Sequence, residues 1–354
     1  RSRRVFEYFI GFKLGLTATP KDYLKSVDVE NIAGSDPRQL EKRMMLDTYT
    51  TFGCDSGEPT FRYSLEDGVK DGYLINPKVI DARTEITTEL LSEQGYVFQG
   101  VDDEGNDFEE TFTQKDFEKK FFSENTNTIF CETFLKHAMQ DPYTGEIGKT
   151  LVFCVSQSHA AKVTQILNVL ADRIYPKQYS SDFAVQVTSS VQDSQRMTID
   201  FRNNSLNGQS KTNPHYRTSK TRICVTVGMM TTGYDCTDIL NICMMRPIYS
   251  PSEFIQMKGR GTRRCDFSES WITKSEIPDH IEPQKEQFLL FDFFGNYEYF
   301  EKDFDYDEVL KLPSKPSQPI NPPPPPPPPI DEVVSTAPDP LAELKEILIS
   351  DQGM

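Results

Sequence analysis

The stretch Thr150 to Val155 (TLVFCV) constrains this chain more than any other. It is apolar at nearly every position, so it cannot be a strand with one wet face. A strand of this kind is covered on both sides, as in a parallel sheet flanked by helices. Gln157 to Tyr175 follows it directly, with Ala161, Val163, Ile166, Leu167 and Leu170 at helical spacing. Ser158 is a plausible N-cap for that helix. The alternation continues. Strands are predicted at Phe183 to Thr188, Ile223 to Val227, Leu240 to Met244 and Phe288 to Phe293. Helices are predicted at Asp193 to Phe201 and from Glu253 to Lys258. Strands and helices taking turns at this spacing give an α/β fold, a parallel sheet with helices on both faces.

Outside this region the chain is less regular. Gly11 to Pro20 (GFKLGLTATP) reads as a short buried strand ending in a polar turn, stopped by Pro20. Residues 83–146 read as a connector or insertion, with a hairpin around 102–106 and a helix from Phe130 to Met139. Pro322 to Pro329 is an unbroken proline run, hence polyproline II, serving as a spacer or as a ligand for an aromatic-lined groove. Beyond it, Leu341, Leu344, Ile347 and Leu348 form one apolar helical stripe that needs a partner surface.

The net charge is −16, which alone argues against a nucleic-acid partner. The charge is unevenly spread, however. Leu151 to Cys265 holds 14 Lys/Arg against 7 Asp/Glu, Val101 to Glu124 holds 3 against 9, and Asp303 to the C-terminus 3 against 10. A basic centre between acidic flanks suits a polyanion, and chance clustering on a solvated surface explains it equally well. No apolar run of about 18 residues exists to cross a membrane as a helix, and no secretory signal is visible at the start. Seven scattered cysteines without a C-x-x-C pair read as reduced thiols of a cytoplasmic protein. The start Arg1-Ser2-Arg3-Arg4, without Met, reads as a piece of a longer protein.

The strongest chemical signal is Gln256 to Arg264 (QMKGRGTRR), of the form Q-x-x-G-R-x-x-R. Gly259 and Gly261 permit close backbone approach. Arg260 and Arg263, three apart, would project to the same side of a helix. Two planar cations on one face suit a triphosphate losing its terminal group, where an arginine finger stabilises the spreading negative charge. A basic surface turn or a contact to a nucleic-acid phosphate fits the same residues. About 20 residues earlier, Thr226 to Asp238 (TVGMMTTGYDCTD) leaves a strand as a polar loop, at the sheet edge where α/β proteins bind ligands. In it, Asp235 could accept from a ribose hydroxyl or hold an arginine finger, and Gly233 marks the turn. Thr17 and Thr19 could relay hydrogen bonds between a nucleotide site and a neighbouring domain. Ser156, Gln157, Ser158, Thr188, Ser189 and Thr226 lie at or near strand ends on one edge of the sheet. Such hydroxyls and amides, with a helix N-terminus, can hold a phosphate backbone without reading bases, although capping and turn chemistry explains them too.

In order and spacing these stretches resemble motifs III to VI of superfamily 2 helicases and translocases. Within that group the chain is similar to the motor subunit of type I restriction enzymes, on the strength of five stretches: Val5 to Phe9 (VFEYF), Phe12 to Pro20, Tyr63 to Leu74 (YSLEDGVKDGYL), Thr231 to Asp235 and Gln256 to Arg264. The resemblance covers residues 1 to about 300. It implies a RecA-like fold, with 1–82 the end of a first RecA-like domain, 83–146 a connector, 147–302 a second RecA-like domain and 303–354 an acidic proline-rich tail. It implies an ATP-driven motor on double-stranded DNA. Arg260 and Arg263 would be catalytic, Gly233, Asp235, Gln256 and Gly259 would line the nucleotide, and Thr17 and Thr19 would couple the domains. The partners implied are the modification and specificity subunits. The chain has no G-x-x-x-x-G-K-[ST] phosphate loop and no D-E-x-H box, which the family carries upstream of the Thr-Ala-Thr stretch. The ligands for Mg²⁺ are therefore expected upstream, and the piece alone is expected to be inactive. A type III restriction subunit, another superfamily 2 DNA or RNA translocase, or a non-catalytic assembly module stays open at this point.

Overall fold

The computed structural model describes Tyr8 and residues 11–17, 48–54, 58–83, 123–278, 280–301, 306–310 and 312. Among the described residues there are seven strands: β1 (Pro77–Asp81), β2 (Thr150–Cys154), β3 (Ala184–Gln186), β4 (Ile223–Thr226), β5 (Asn241–Met245), β6 (Phe288–Asp292) and β7 (Glu308–Val309). They form one sheet in the order β3-β4-β2-β5-β6-β1-β7. Every neighbouring pair is parallel. This is the α/β arrangement, a parallel sheet with helices on both faces, that the alternation of strands and helices implied. Every residue of β2, β4, β5 and β6 is buried, as their two-sided apolar character demands.

The helices are α1 (Thr48–Phe52), α2 (Leu65–Lys70), α3 (Glu124–His137), α4 (Gln157–Ile174), α5 (Ser194–Arg202), α6 (Pro251–Gly259) and α7 (Asn296–Phe300). Strand parity separates the two faces they cover. Leu151, Cys224, Ile242, Leu290 and Val79 are in register and point one way. They share a core with Phe201 of α5, Phe254 and Met257 of α6 and Tyr297 of α7. The alternate residues point the other way, where Phe134 of α3 meets Phe291 edge-on at 5.4 Å between ring centroids. There α4 packs against α3 and over β2, β3 and β4. Each of these buried large side chains contributes roughly 1.5–3 kcal/mol, so the core is divided between both faces of the sheet.

Several expectations change. Pro77–Asp81, expected with the first domain, is hydrogen-bonded in register to Phe288–Asp292 of β6. The expected connector contributes α3, whose Phe130 and Phe134 are buried against the sheet. The expected tail contributes β7, paired with β1. These pieces join one sheet because β6, apolar on both sides, needs a neighbour on its outer edge. Residues 11–17 form no strand; Phe12, Leu14 and Leu16 are exposed. No strand among the described residues pairs with them, so nothing buries them as a strand. Gly15 instead lies on the Phe52 ring, where a Cβ would sit 2.6 Å away. The N-cap of α4 is Ser156, whose hydroxyl accepts from the His159 N–H, and not Ser158. The hairpin at 102–106, the proline run and the apolar stripe lie outside the described residues.

Candidate nucleotide and nucleic-acid site

Because the sheet is parallel, the loop leaving β4 starts at its C-terminal edge and must travel to the other edge to enter β5. Gly233 turns it with φ +66°, a conformation that favours glycine. The loop is anchored before β5 by a buried ion pair. Lys149 Nζ lies 3.0 Å from Asp238 Oδ2 and also donates to the Phe201 carbonyl. Burial would lower the Lys149 pKa, yet Asp238 holds it above its ordinary value. Burial would raise Asp238, yet Lys149 and its hydrogen bonds hold it below the ordinary carboxylate value. Both shifts favour the charged pair. The Cys236 thiol donates to Asp238 Oδ1 at 3.0 Å.

The basic motif meets this loop. Helix α6, capped by Ser250 with Pro251 in its first turn, ends at Gly259. Arg260 is its C-cap; its Nε donates to the Gln256 carbonyl at 3.1 Å and its Nη1 to the Tyr234 carbonyl. Burial lowers the Arg260 pKa; Asp235 opposes this and Arg263 adds to it. Arg263 Nε lies 3.1 Å from Asp235 Oδ1, with both side chains about half exposed. The two arginines therefore converge on one loop, but not as neighbours on a helix. Beyond Gly259 the chain leaves the helix through a turn, with Arg263 bridged antiparallel to Leu74 and the Thr262 carbonyl accepting from the Ile75 N–H at 2.9 Å. The stretch Tyr63 to Leu74 thus backs the arginine turn, and Arg264 Nη1 donates to the Gly72 carbonyl at 2.6 Å. The close approach belongs to Gly261, where a Cβ would sit 2.3 Å from the Phe288 ring; Gly259 has open space. Gln256 is half-buried on α6, its carbonyl taken by Arg260.

The hydroxyls and amides gather at the C-terminal edge. Gln157 Nε2 donates to Ser189 Oγ at 3.4 Å, and Gln186 Nε2 donates to the Gln157 carbonyl at 3.1 Å and to Thr188 Oγ1 at 3.2 Å. The starts of α4 and of the loop after β3 are thus tied together. Gln157, Ser158 and Ser189 are exposed, whereas Ser156 and Thr188 are buried and serve the backbone and their neighbours. Thr226 is fully buried with its hydroxyl unpartnered. It sits in the strand as a core residue, in register with Phe153, so it offers nothing to a surface ligand. Helix α4 has no acid in its first turn. Its N-terminus therefore keeps the partial positive charge that favours anions. Thr17 is exposed on the 11–17 stretch, and Thr19 lies outside the described residues.

Sequence reasoning missed three residues that hold these loops. Lys149 and Asp238 anchor the loop after β4, and Lys285 binds carbonyls of both loops. His159, inside α4, is buried and bridges α3 to the start of α4. His159 carried a signal, being a polar residue on the buried stripe of a helix. Lys149 and Lys285 carried none, since their partners lie tens of residues away.

The donor set fits a polyphosphate: two guanidinium groups, one of them half exposed, held by backbone and a carboxylate. Among the described residues no cluster of three or more His, Cys, Asp or Glu could hold a metal ion.

No family model matches the chain. The chain is 28% identical over 278 residues to the type I restriction enzyme EcoKI endonuclease subunit of Escherichia coli strain K12, a match covering 74% of this chain and 20% of that protein. It is 25% identical over 277 residues to the EcoAI endonuclease subunit of Escherichia coli, covering 77% of this chain and 28% of that one. Among solved structures, a fragment assigned as a HsdR subunit of a type I restriction enzyme from Vibrio vulnificus YJ016 aligns at 23% identity and TM-score 0.43, over 78% of this chain and 42% of that chain. The chain spans a fifth to just over a quarter of the length of the two curated relatives. The sequence is thus similar to type I restriction enzyme endonuclease subunits over a part of their length.

Proposed function

We propose that this chain is the second RecA-like half of an ATP-driven motor that moves double-stranded DNA within a type I restriction endonuclease subunit. The observation that carries the reading is the junction of two loops, where Arg263 meets Asp235 and Arg260 meets the Tyr234 carbonyl. Through that junction a group that pulls on Arg263 also pulls on the loop leaving β4. ATP, when bound, supplies the phosphoryl group whose transfer to water drives the motion. Arg263 is the arginine finger: its half-exposed guanidinium stabilises charge on the departing phosphate. Asp235 orients it through Nε, and Arg260 fixes the loop on which Asp235 stands. Gly233 lets that loop turn, and Gln256 and Gly259 border the same turn. Ligands for Mg²⁺ come from outside the described residues. At the other edge, Gln157, Ser158 and Ser189, with the start of α4, grip DNA phosphates. Modification and specificity subunits are the partners of such a motor, and the cytoplasm its place.

The test uses the full-length subunit that carries this chain. Arg263→Ala should cut DNA-stimulated ATP turnover by roughly 10³–10⁵-fold while ATP binding stays nearly unchanged, since a finger acts on the transition state. Binding that weakens in step with turnover would make Arg263 a ground-state contact and defeat the assignment.

A further inference from the structure

Lys285 is a buried lysine with no carboxylate in contact among the described residues. Its ammonium group donates to three backbone carbonyls: Gly261 at 2.7 Å, Thr237 at 3.0 Å and Arg263 at 3.0 Å. Its side chain is almost wholly removed from water. Three donors meet three acceptors, so the group is fully satisfied. The acceptors are not a random set. Thr237 lies two residues after Asp235, in the loop that leaves β4. Gly261 and Arg263 belong to the arginine turn. Lys285 is therefore a third link between the two loops, and it comes from a segment outside both. The segment is itself fixed, because the Lys285 N–H donates to the Cys265 carbonyl at 2.8 Å and Gln284 is bridged antiparallel to Asp266. Phe288 lies 5.6 Å from the ammonium and closes the pocket, and the same ring supports Gly261.

We infer that Lys285 is a positioning residue for Arg263: its ammonium staples the Arg263 carbonyl and the Gly261 turn to the loop bearing Asp235, and so sets where the guanidinium stands. This deepens the reading of Arg263 as an arginine finger and rests on it. The Arg263–Asp235 pair is half exposed, so solvent screening leaves it weak on its own. It cannot hold the turn unaided, whereas three charge-assisted hydrogen bonds in a buried site can.

The staple depends on charge. A neutral amine has two N–H bonds for three carbonyls and turns a lone pair toward the third. The titratable groups that face Lys285 are the Cys265 thiol, and Asp238 and Cys236 from the loop after β4. The two thiols are pushed up by burial, to about 11 and about 12, and so stay protonated below that range. Asp238 is committed to Lys149. Burial accordingly outweighs these neighbours and lowers the Lys285 pKa to about 8.

The experiment uses the full-length subunit, wild type and Lys285→Met. Two readouts are needed: amide hydrogen exchange of residues 234–238 and 261–264, and ATP turnover against pH with DNA present. In the wild type, raising the pH from 7 to 9 should loosen both segments beyond the intrinsic pH dependence, while β2, β4 and β5 stay protected. Turnover should fall on the alkaline side with a midpoint near 8, with little change in KM for ATP. Lys285→Met should loosen the same segments already at pH 7, lower kcat roughly tenfold to a hundredfold, as a displaced catalytic group does, and lose the alkaline fall. Wild-type loops whose corrected protection is the same at pH 7 and 9 would overturn the staple, and this measurement needs no variant to fold. A Lys285→Met protein that keeps the alkaline fall would overturn it as well. Loosened loops with undiminished turnover would overturn the positioning role. In that case Arg263→Ala decides the cause: normal turnover there puts the failure on the finger reading, and lost turnover puts it on Lys285.

Discussion

The fold should lose stability in acid through one histidine. His159 is buried in the first turn of α4, and both ring nitrogens have protein partners: Nδ1 accepts from the Val155 N–H at 3.3 Å, and Nε2 meets Asn127 Oδ1 at 3.0 Å. The tautomer that serves both carries its proton on Nε2 and is neutral. Protonation would set an N–H on Nδ1 against the Val155 N–H, in a buried site. Burial, with a smaller part from Lys162, pushes the pKa down from 6.5 to about 3. The folded-state value is the lower one, so the stability His159 contributes is present above pH 6.5 and is lost as pH falls from 6.5 toward 3. Each unit in that window costs about 1.4 kcal/mol, or about 3 kcal/mol between pH 6.5 and 4.5. That is a large share of the roughly 5–15 kcal/mol that holds a domain together. The assay is urea unfolding of the chain, followed by circular dichroism from pH 7.5 to 4.5, for wild type and His159→Gln. All other titrating groups are common to the two proteins and cancel in the difference. The wild type should be the more stable at pH 7.5 and should lose about 3 kcal/mol relative to the variant by pH 4.5. Two curves that run parallel would refute the argument.

Gly261→Ala should destabilise by about 1–3 kcal/mol, the usual cost of overpacking, because its Cβ would enter the Phe288 ring; thermal unfolding of Gly261→Ala with and without Phe288→Leu checks this, and equal losses in both backgrounds would exclude the clash. Lys149→Met strands Asp238 without its cation and should cost about 3–5 kcal/mol, with Lys149→Met/Asp238→Asn recovering part of it; a double variant as unstable as the single one would contradict the ion-pair account. In the full-length subunit, Gln157→Ala/Ser189→Ala should weaken binding to duplexes of unrelated sequence by the same factor, because phosphate contacts repeat at every step along DNA. Affinities should fall together with salt, the slope set by nearby Lys and Arg. A preference of roughly a hundredfold for one sequence, the size of two good base contacts, would mark a site-specific binder instead.

The central sheet could be read from the sequence because two-sided burial leaves a local mark. β2, β4, β5 and β6 are short apolar runs wherever they are buried on both faces. β1 leaves a weaker mark: its first two residues are half exposed, and its partner Phe288–Asp292 lies some 200 residues away, so nothing near Pro77 says which sheet it joins. The motif stretches left two partners open for Asp235, a ribose hydroxyl and an arginine finger; the structure pairs it with Arg263. The helical relation between Arg260 and Arg263 did not survive, and Gly259 and Gly261 on either side of Arg260 were the signal against it, since glycine weakens a helix by about 1 kcal/mol. Thr226 was misplaced for a different reason. A threonine at a strand end looks the same in sequence whether it faces a loop or the core, and only its register with Phe153 decides. The least legible parts are the ties between distant loops, from Lys149 and from Lys285, because a single long cation has no period and its acceptors are backbone carbonyls that carry no sequence identity. Yet these ties give the site its mechanical sense. The loop after β4 begins at the edge that holds Gln157 and Ser189 and ends on Asp235, Thr237 and Asp238, where three long cationic side chains grip it from three other segments. A loop fixed at its far end has less freedom to flex, which is what the proposed coupling of the Gln157–Ser189 edge to Arg263 requires.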